Sequence, residues 1–126
     1  MLERKTLTEL RSDLDAAVAA DDVPSLATAA AELRAQVHMR RMAGGDLEDL
    51  PSIDALRERA NYALASRLSA DVEAAATTEI TIPDDYQTFA AELEADDPGF
   101  APLAARTRDV FASRLVAGPS GSEEGD

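Results

Sequence analysis

Along most of the chain, apolar residues return every three or four positions, the spacing that gathers them on one face of an α-helix. Leu7, Leu10, Leu14 and Val18 mark a first helix over 6–20. Thr6 and Glu9 stand three apart at its start, as a capping box requires, with each side chain accepting from the other's backbone N–H. Asp21 and Asp22 break the pattern. A second stripe of Leu26, Ala30, Leu33 and Val37 predicts a helix from Pro24 to Met42. Proline suits its first turn, where a missing N–H has no helical partner. Gly44 and Gly45 end it, because glycine accepts the left-handed backbone of a C-cap. The link between the two helices is so short that they must form an antiparallel hairpin over 6–42.

An acidic loop is expected over Asp46–Pro51, after which Ser52 can cap a third helix and Asp54 suits its positive end. Ile53, Leu56, Ala60, Leu64, Leu68 and Val72 carry its stripe over 52–76, a length of about 36 Å at 1.5 Å per residue. The period then changes. In Thr77–Pro83, Ile80 and Ile82 alternate with Glu79 and Thr81, the one strand-like segment. Asp84 and Gln87 offer a second capping box before a fourth helix over 85–95, with Tyr86, Phe89 and Leu93 inward. Asp96, Asp97, Pro98 and Gly99 read as a turn. A fifth helix over 102–116 turns Leu103, Val110, Phe111 and Leu115 inward, and Gly118 and Pro119 stop it. The expectation is therefore a mainly α fold: about five helices in one helical domain over 1–117. The third helix and the extended segment form its hinge. A flexible Gly, Ser and acid tail follows over 118–126.

Composition qualifies this picture. Alanine supplies 26 of the apolar residues, and Leu, Ile, Val and Phe together only another 26. Alanine is the best helix former but buries little, so the helices are thin, pack closely, and gain from a partner that covers more surface. The chain carries 25 acidic and 12 basic residues, a net charge of −13, and Lys5 is its single lysine. A GC-rich genome accounts for the alanines and arginines but not for 14 aspartates. A salt-adapted surface of the halophile type, acidic and lysine-poor, accounts for the aspartates and the missing lysines. In molar salt the Debye length falls to about 3 Å, and self-repulsion largely disappears. The charge is also uneven. Residues 1–45 hold six basic and seven acidic side chains, 46–76 hold three and seven, and 77–126 hold three and eleven.

Candidate chemistry is sparse. There is no cysteine, so no disulfide and no thiolate metal site. His38 is the single histidine, near the C-terminal end of the second helix, where the helix dipole favours a cation. Asp46, Glu48 and Asp49 resemble the start of a calcium loop, but Pro51 stands where its glycine should be and Arg57 where its glutamate should be. Gly44–Gly45 follows a helix and precedes no lysine, so it is no phosphate loop. No cofactor is expected, and no catalytic set emerges. Met1–Leu14 alternates charged and apolar residues, unlike a signal peptide, and no apolar run approaches the ~20 residues of a membrane span. The net charge opposes nucleic acid and favours protein partners. Two places qualify as interfaces. One is the locally basic group Arg34, His38, Arg40 and Arg41, of which Arg34, His38 and Arg41 share a helix side. It could meet an acidic surface, such as another copy's C-terminal half. The other is Ile80 and Ile82, an orphan strand that could pair with one from another chain.

The layout of the Leu7–Val37 hairpin, the long Ser52–Ala76 helix and the Thr77–Pro83 extension resembles the head–tail connector (adaptor) subunits of tailed viruses. The resemblance implies a non-enzymatic structural subunit that forms a homo-oligomeric ring between portal and tail, located in the virion. With this acidic, lysine-poor surface it implies a virus of a halophilic host. The alternative expectation is a cytoplasmic helical adaptor or regulator of a halophile that binds one protein partner through the N-terminal hairpin.

Overall fold

The computed structural model describes residues 4–44, 48–78 and 80–117, with side chains to Ser113. Among these residues are five α-helices: α1 (Leu7–Ala20), α2 (Val23–Ala43), α3 (Leu50–Thr77), α4 (Asp85–Asp96) and α5 (Ala101–Ala117). A single 3-10 turn, Pro98–Phe100, leads into α5. The mainly α expectation holds, and each helix lies within two residues of its predicted bounds.

The local reasons are visible at the ends. Thr6 Oγ1 accepts the Glu9 N–H at 3.1 Å, and Glu9 Oε1 accepts the Thr6 N–H at 2.9 Å, completing the capping box. Asp21 closes α1 in the left-handed region at φ 54°, and its N–H reaches the Ala17 carbonyl. Asp22 opens α2 by accepting the Ser25 N–H at 2.8 Å. That bond holds the Asp22 carboxyl below the usual carboxylate range. Gly44 ends α2 at φ 69°, a backbone that side chains rarely adopt. Asp97 caps the 3-10 turn through the Gly99 N–H at 2.9 Å.

Three expectations about local structure are corrected. Ser52 does not cap α3: the Ile53 N–H already bonds the Asp49 carbonyl at 3.0 Å, so the helix begins before it, with Pro51 in its first turn. Asp84 makes no side-chain cap, because its own backbone is right-handed helical at φ −60°, ψ −26°. A cap instead needs an extended backbone that swings the side chain toward the third N–H. No strand forms among the described residues. Thr77 completes α3 and Thr78 is a bend, while Ile80–Pro83 has no regular structure; a strand needs a neighbouring ladder. The tail over 118–126 lies outside the described residues.

The chain divides into two compact units, Met1–Arg67 and Leu68–Asp126, with the boundary inside α3. In the first unit α1, α2 and the N-terminal part of α3 make an up–down–up bundle. The cross-links fix the directions. Arg34 on α2 meets Asn61 on α3, and Arg41 meets Asp54, so these two helices run antiparallel. Asp15 on α1 meets Arg59, and Asp21 meets Arg67, so α1 and α3 run parallel. Leu10, Leu14, Val23, Leu26, Ala30, Leu33, Val37, Ile53, Leu56, Ala60 and Leu64 are buried between them. Val18, expected on the α1 stripe, is 38% exposed, and Ala17 is buried in its place. Two successive four-residue steps from Leu10 rotate about 80° off the face, and the smaller alanine sits nearer its centre.

In the second unit the C-terminal turns of α3 pack with α4 and α5. Val72, Ala75, Ile82, Tyr86, Ala90, Leu93, Ala104, Val110 and Phe111 are buried there. The Tyr86 hydroxyl donates to Asp71 Oδ2 at 2.7 Å. Arg106 on α5 grips Glu73 with two bonds, Nε to Oε2 at 2.7 Å and Nη2 to Oε1 at 2.9 Å. This fork holds the Glu73 carboxyl below its ordinary range. Phe89 and Leu103 are half-buried, and the Leu115 side chain lies outside the described residues.

Candidate functional site: exposed surfaces of the helical units

The basic group on α2 separates into one structural residue and three surface ones. Arg40 is 2% exposed. It donates from Nη1 to Gln36 Oε1 and from Nη2 to the backbone carbonyl of Lys5. Gln36 Oε1 also accepts the Lys5 N–H at 3.2 Å. Arg40 and Gln36 therefore fasten the segment that precedes α1 onto α2. Burial lowers the affinity of the Arg40 guanidinium for its proton, with the Arg4 charge adding to the effect. As a surface interface residue Arg40 is thus corrected. Lys5 belongs to the same fastening: its ammonium pairs with Glu32 at 2.9 Å and Asp13 at 3.1 Å, which raises its pKa far above the lysine range.

Arg34, His38 and Arg41 do lie on the outer side of α2, along the seam with α3. The antiparallel register that joins Arg34 to Asn61 and Arg41 to Asp54 brings His38 level with Arg57. Arg57 is held by Asp54 at 2.7 Å. His38 and Arg41 are exposed and Arg34 is half-buried. Met42, next in sequence, is 73% exposed. The result is a cationic seam with an apolar end, on a chain that is otherwise strongly acidic.

The extended segment separates in the same way. Ile82 is 7% exposed and anchors the segment in the second unit, whereas Ile80 is 51% exposed. A hollow of about 430 Å³ in the same unit is lined by Ala75, Ala76, Thr78, Arg106, Asp109, Val110 and Ser113. Ser113 has no histidine in its own unit to act as a base, and Arg106 is committed to Glu73. A second hollow, of about 360 Å³, lies between α1 and α2; alanines line it, with Asp13 and Glu32 at the end that Lys5 bridges. Among the described residues, no three His, Cys, Asp or Glu side chains converge as metal ligands. No helix among them is long and apolar enough to cross a membrane.

Sequence reading missed one surface feature, Tyr62, which is 71% exposed on α3. The signal was present. Tyr62 falls between Ala60 and Leu64 of the buried stripe and three residues after Arg59, which places an aromatic on the polar face. Aromatics with one apolar body and one polar tip are favoured at protein interfaces. The comparisons add no relative to this geometry: no protein-family model, no curated protein and no solved structure matches the chain.

Proposed function

We propose that the chain is a non-enzymatic assembly subunit that acts through protein–protein contacts at high salt. Its most concrete form is a head–tail connector ring subunit in a tailed virus of a halophilic host. One observation carries this reading. An acidic chain with a thin, alanine-rich core leaves Val18, Met42, Tyr62 and Ile80 exposed, while its buried arginine and its lysine serve internal fastening. Large side chains left in water on a chain short of core are what a partner would cover. Ile80 is the best placed for a ring. It sits on backbone without a ladder, next to the inward anchor Ile82, so a neighbouring copy's segment can pair there. Where one edge of the segment meets the opposite edge of the next copy's, the contact is head-to-tail, and it closes into a ring when the rotation from copy to copy closes.

The cationic seam with Met42 favours a second reading, a helical adaptor of a halophile that receives one acidic protein on its N-terminal unit. Ile80→Lys separates the two. Imaged by electron microscopy in molar salt, the unaltered chain should form rings. The variant should lose them while keeping its helical circular dichroism. Unchanged rings in the variant would remove the extended segment from the contact. Ile82→Lys is unsuitable, because it would place a charge in the core.

A further inference from the structure

We infer that the segment before α1 is a strap with two latches of different salt response: an inner one on the Lys5 backbone that holds in molar salt, and an outer one on the Lys5 ammonium that loosens there. The inner latch comes from α2. Gln36 Oε1 accepts the Lys5 N–H at 3.2 Å, and Arg40 Nη2 donates to the Lys5 carbonyl. Gln36 and Arg40 stand one helical turn apart and bond each other, and they are 0% and 2% exposed. Together they do for Lys5 what a neighbouring strand does for a hydrogen-bonded residue. Thr6, next in the chain, is the N-cap of α1, so the inner latch fixes the residue that adjoins the first turn. The outer latch spans both helices of the hairpin. The Lys5 ammonium meets Glu32 on α2 at 2.9 Å and Asp13 on α1 at 3.1 Å. It stands across one end of the alanine-lined hollow between α1 and α2. Here the side chains are open to water, 33% exposed for Lys5, 23% for Glu32 and 48% for Asp13.

That difference in exposure sets the two responses. Exposed ion pairs are weak in water, and molar salt screens them further. When the ammonium lets go, Asp13 and Glu32 are left solvated, and the same salt screens their mutual repulsion. The inner bonds are shielded from solvent ions and keep their strength. Nor can Arg40 let go without cost. Its Nε already lacks a partner among the described residues, and losing the Lys5 carbonyl would orphan a second donor of a buried guanidinium. At molar salt the strap therefore still holds the start of α1, while the single lysine of the chain turns to solvent and uncovers the end of the hollow at Asp13 and Glu32. The device lies within one chain and does not depend on Ile80 or on any partner.

Because Lys5 is the single lysine, each latch has its own reporter in the full chain. Acylation by an amine-reactive ester, read at Lys5 by mass spectrometry, follows the outer latch. Amide hydrogen exchange of residue 5, read by NMR, follows the inner one. At about 0.1 M salt, Lys5 should be acylated about tenfold more slowly than the lysine of an unstructured peptide in the same buffer, as two exposed ion pairs allow. At about 3 M the gap should narrow to about threefold or less. The residue 5 amide should stay protected at both. Lys5→Ala removes the outer latch alone and should keep that protection, whereas Gln36→Met removes the acceptor and should abolish it with helical circular dichroism retained. Acylation that keeps the same lag at both salts would overturn the outer latch. An amide that loses protection in molar salt, or in Lys5→Ala, would overturn the inner one.

Discussion

Replacing Arg40 with alanine lowers the stability of the chain by about 3 kcal/mol, whereas Arg41→Ala, one residue along, changes it by less than about 0.5 kcal/mol. The two arginines differ only in which way the helix turns them. Arg40 is 2% exposed and makes charge-assisted bonds to Gln36 Oε1 and the Lys5 carbonyl. Each such bond contributes about 1.5 kcal/mol or more, and alanine also gives up the packing of the aliphatic stem. Against this stands the relief of a buried charge whose Nε has no hydrogen-bond partner among the described residues. That relief keeps the loss well below the sum of its parts. Arg40→Met isolates the term: it fills most of the volume, removes the charge and leaves Gln36 bonded to the Lys5 N–H. Its loss should be near 1 kcal/mol. Arg41 holds Asp54 at 3.5 Å with its side chain 59% exposed, a pair of the kind worth little in water. Urea midpoints at unchanged slope measure all three. Equal losses for Arg40→Ala and Arg41→Ala would contradict the fastening role.

Leu14→Ala should cost about 3 kcal/mol and Val18→Ala under about 0.5 kcal/mol in the monomer, although both lie on the same apolar stripe in sequence. Leu14 is fully buried, so alanine leaves a cavity that α2 and α3 fill only in part. Val18 already meets solvent and loses little. The comparison belongs at low salt, where self-repulsion of the net charge of −13 favours the monomer. Urea melts of the two variants decide it. A large loss at Val18 would mean that the face of α1 continues straight through that position.

What could be read from sequence follows from how local each cause is. The stripes of α2 and α3 were legible position by position, because Leu26, Ala30, Leu33, Val37 and then Ile53 through Val72 keep to the helical period over many turns. The Thr6–Glu9 box was legible because cap and first turn adjoin in sequence. Val18 misled because a short helix tolerates one step of drift. Ser52 and Asp84 misled because a suitable capping residue does not set the backbone angle that a cap needs. Arg40 looked like one member of a basic run, yet Val37 and Arg40 are three apart and extend the apolar stripe by one more step. Arg41, four residues from Val37, extends it as well, so the period leaves both arginines about 50° from the stripe's centre, and only the contacts to Gln36 and Lys5 decide that Arg40 is the buried one. The strand-like segment obeyed an alternation that Ile82 does express by turning inward, but a ladder is a property of two strands. At the candidate surfaces, Ile80, His38 and Arg41 were legible as exposed. Tyr62 was overlooked although the spacing carried the signal: it falls between Ala60 and Leu64 of the buried stripe, which puts it on the opposite, exposed face of α3.

On the proposed function, this acidic, thinly packed chain completes itself through other protein surfaces once salt has screened its charge. The most direct measurement is the light-scattering mass of the purified chain across a salt series from about 0.1 M to 3 M, over which the Debye length shrinks from about 10 Å to 3 Å or less. The mass should rise with salt from 13.4 kDa to a defined multiple of it. A mass of 13.4 kDa at every salt concentration would contradict it.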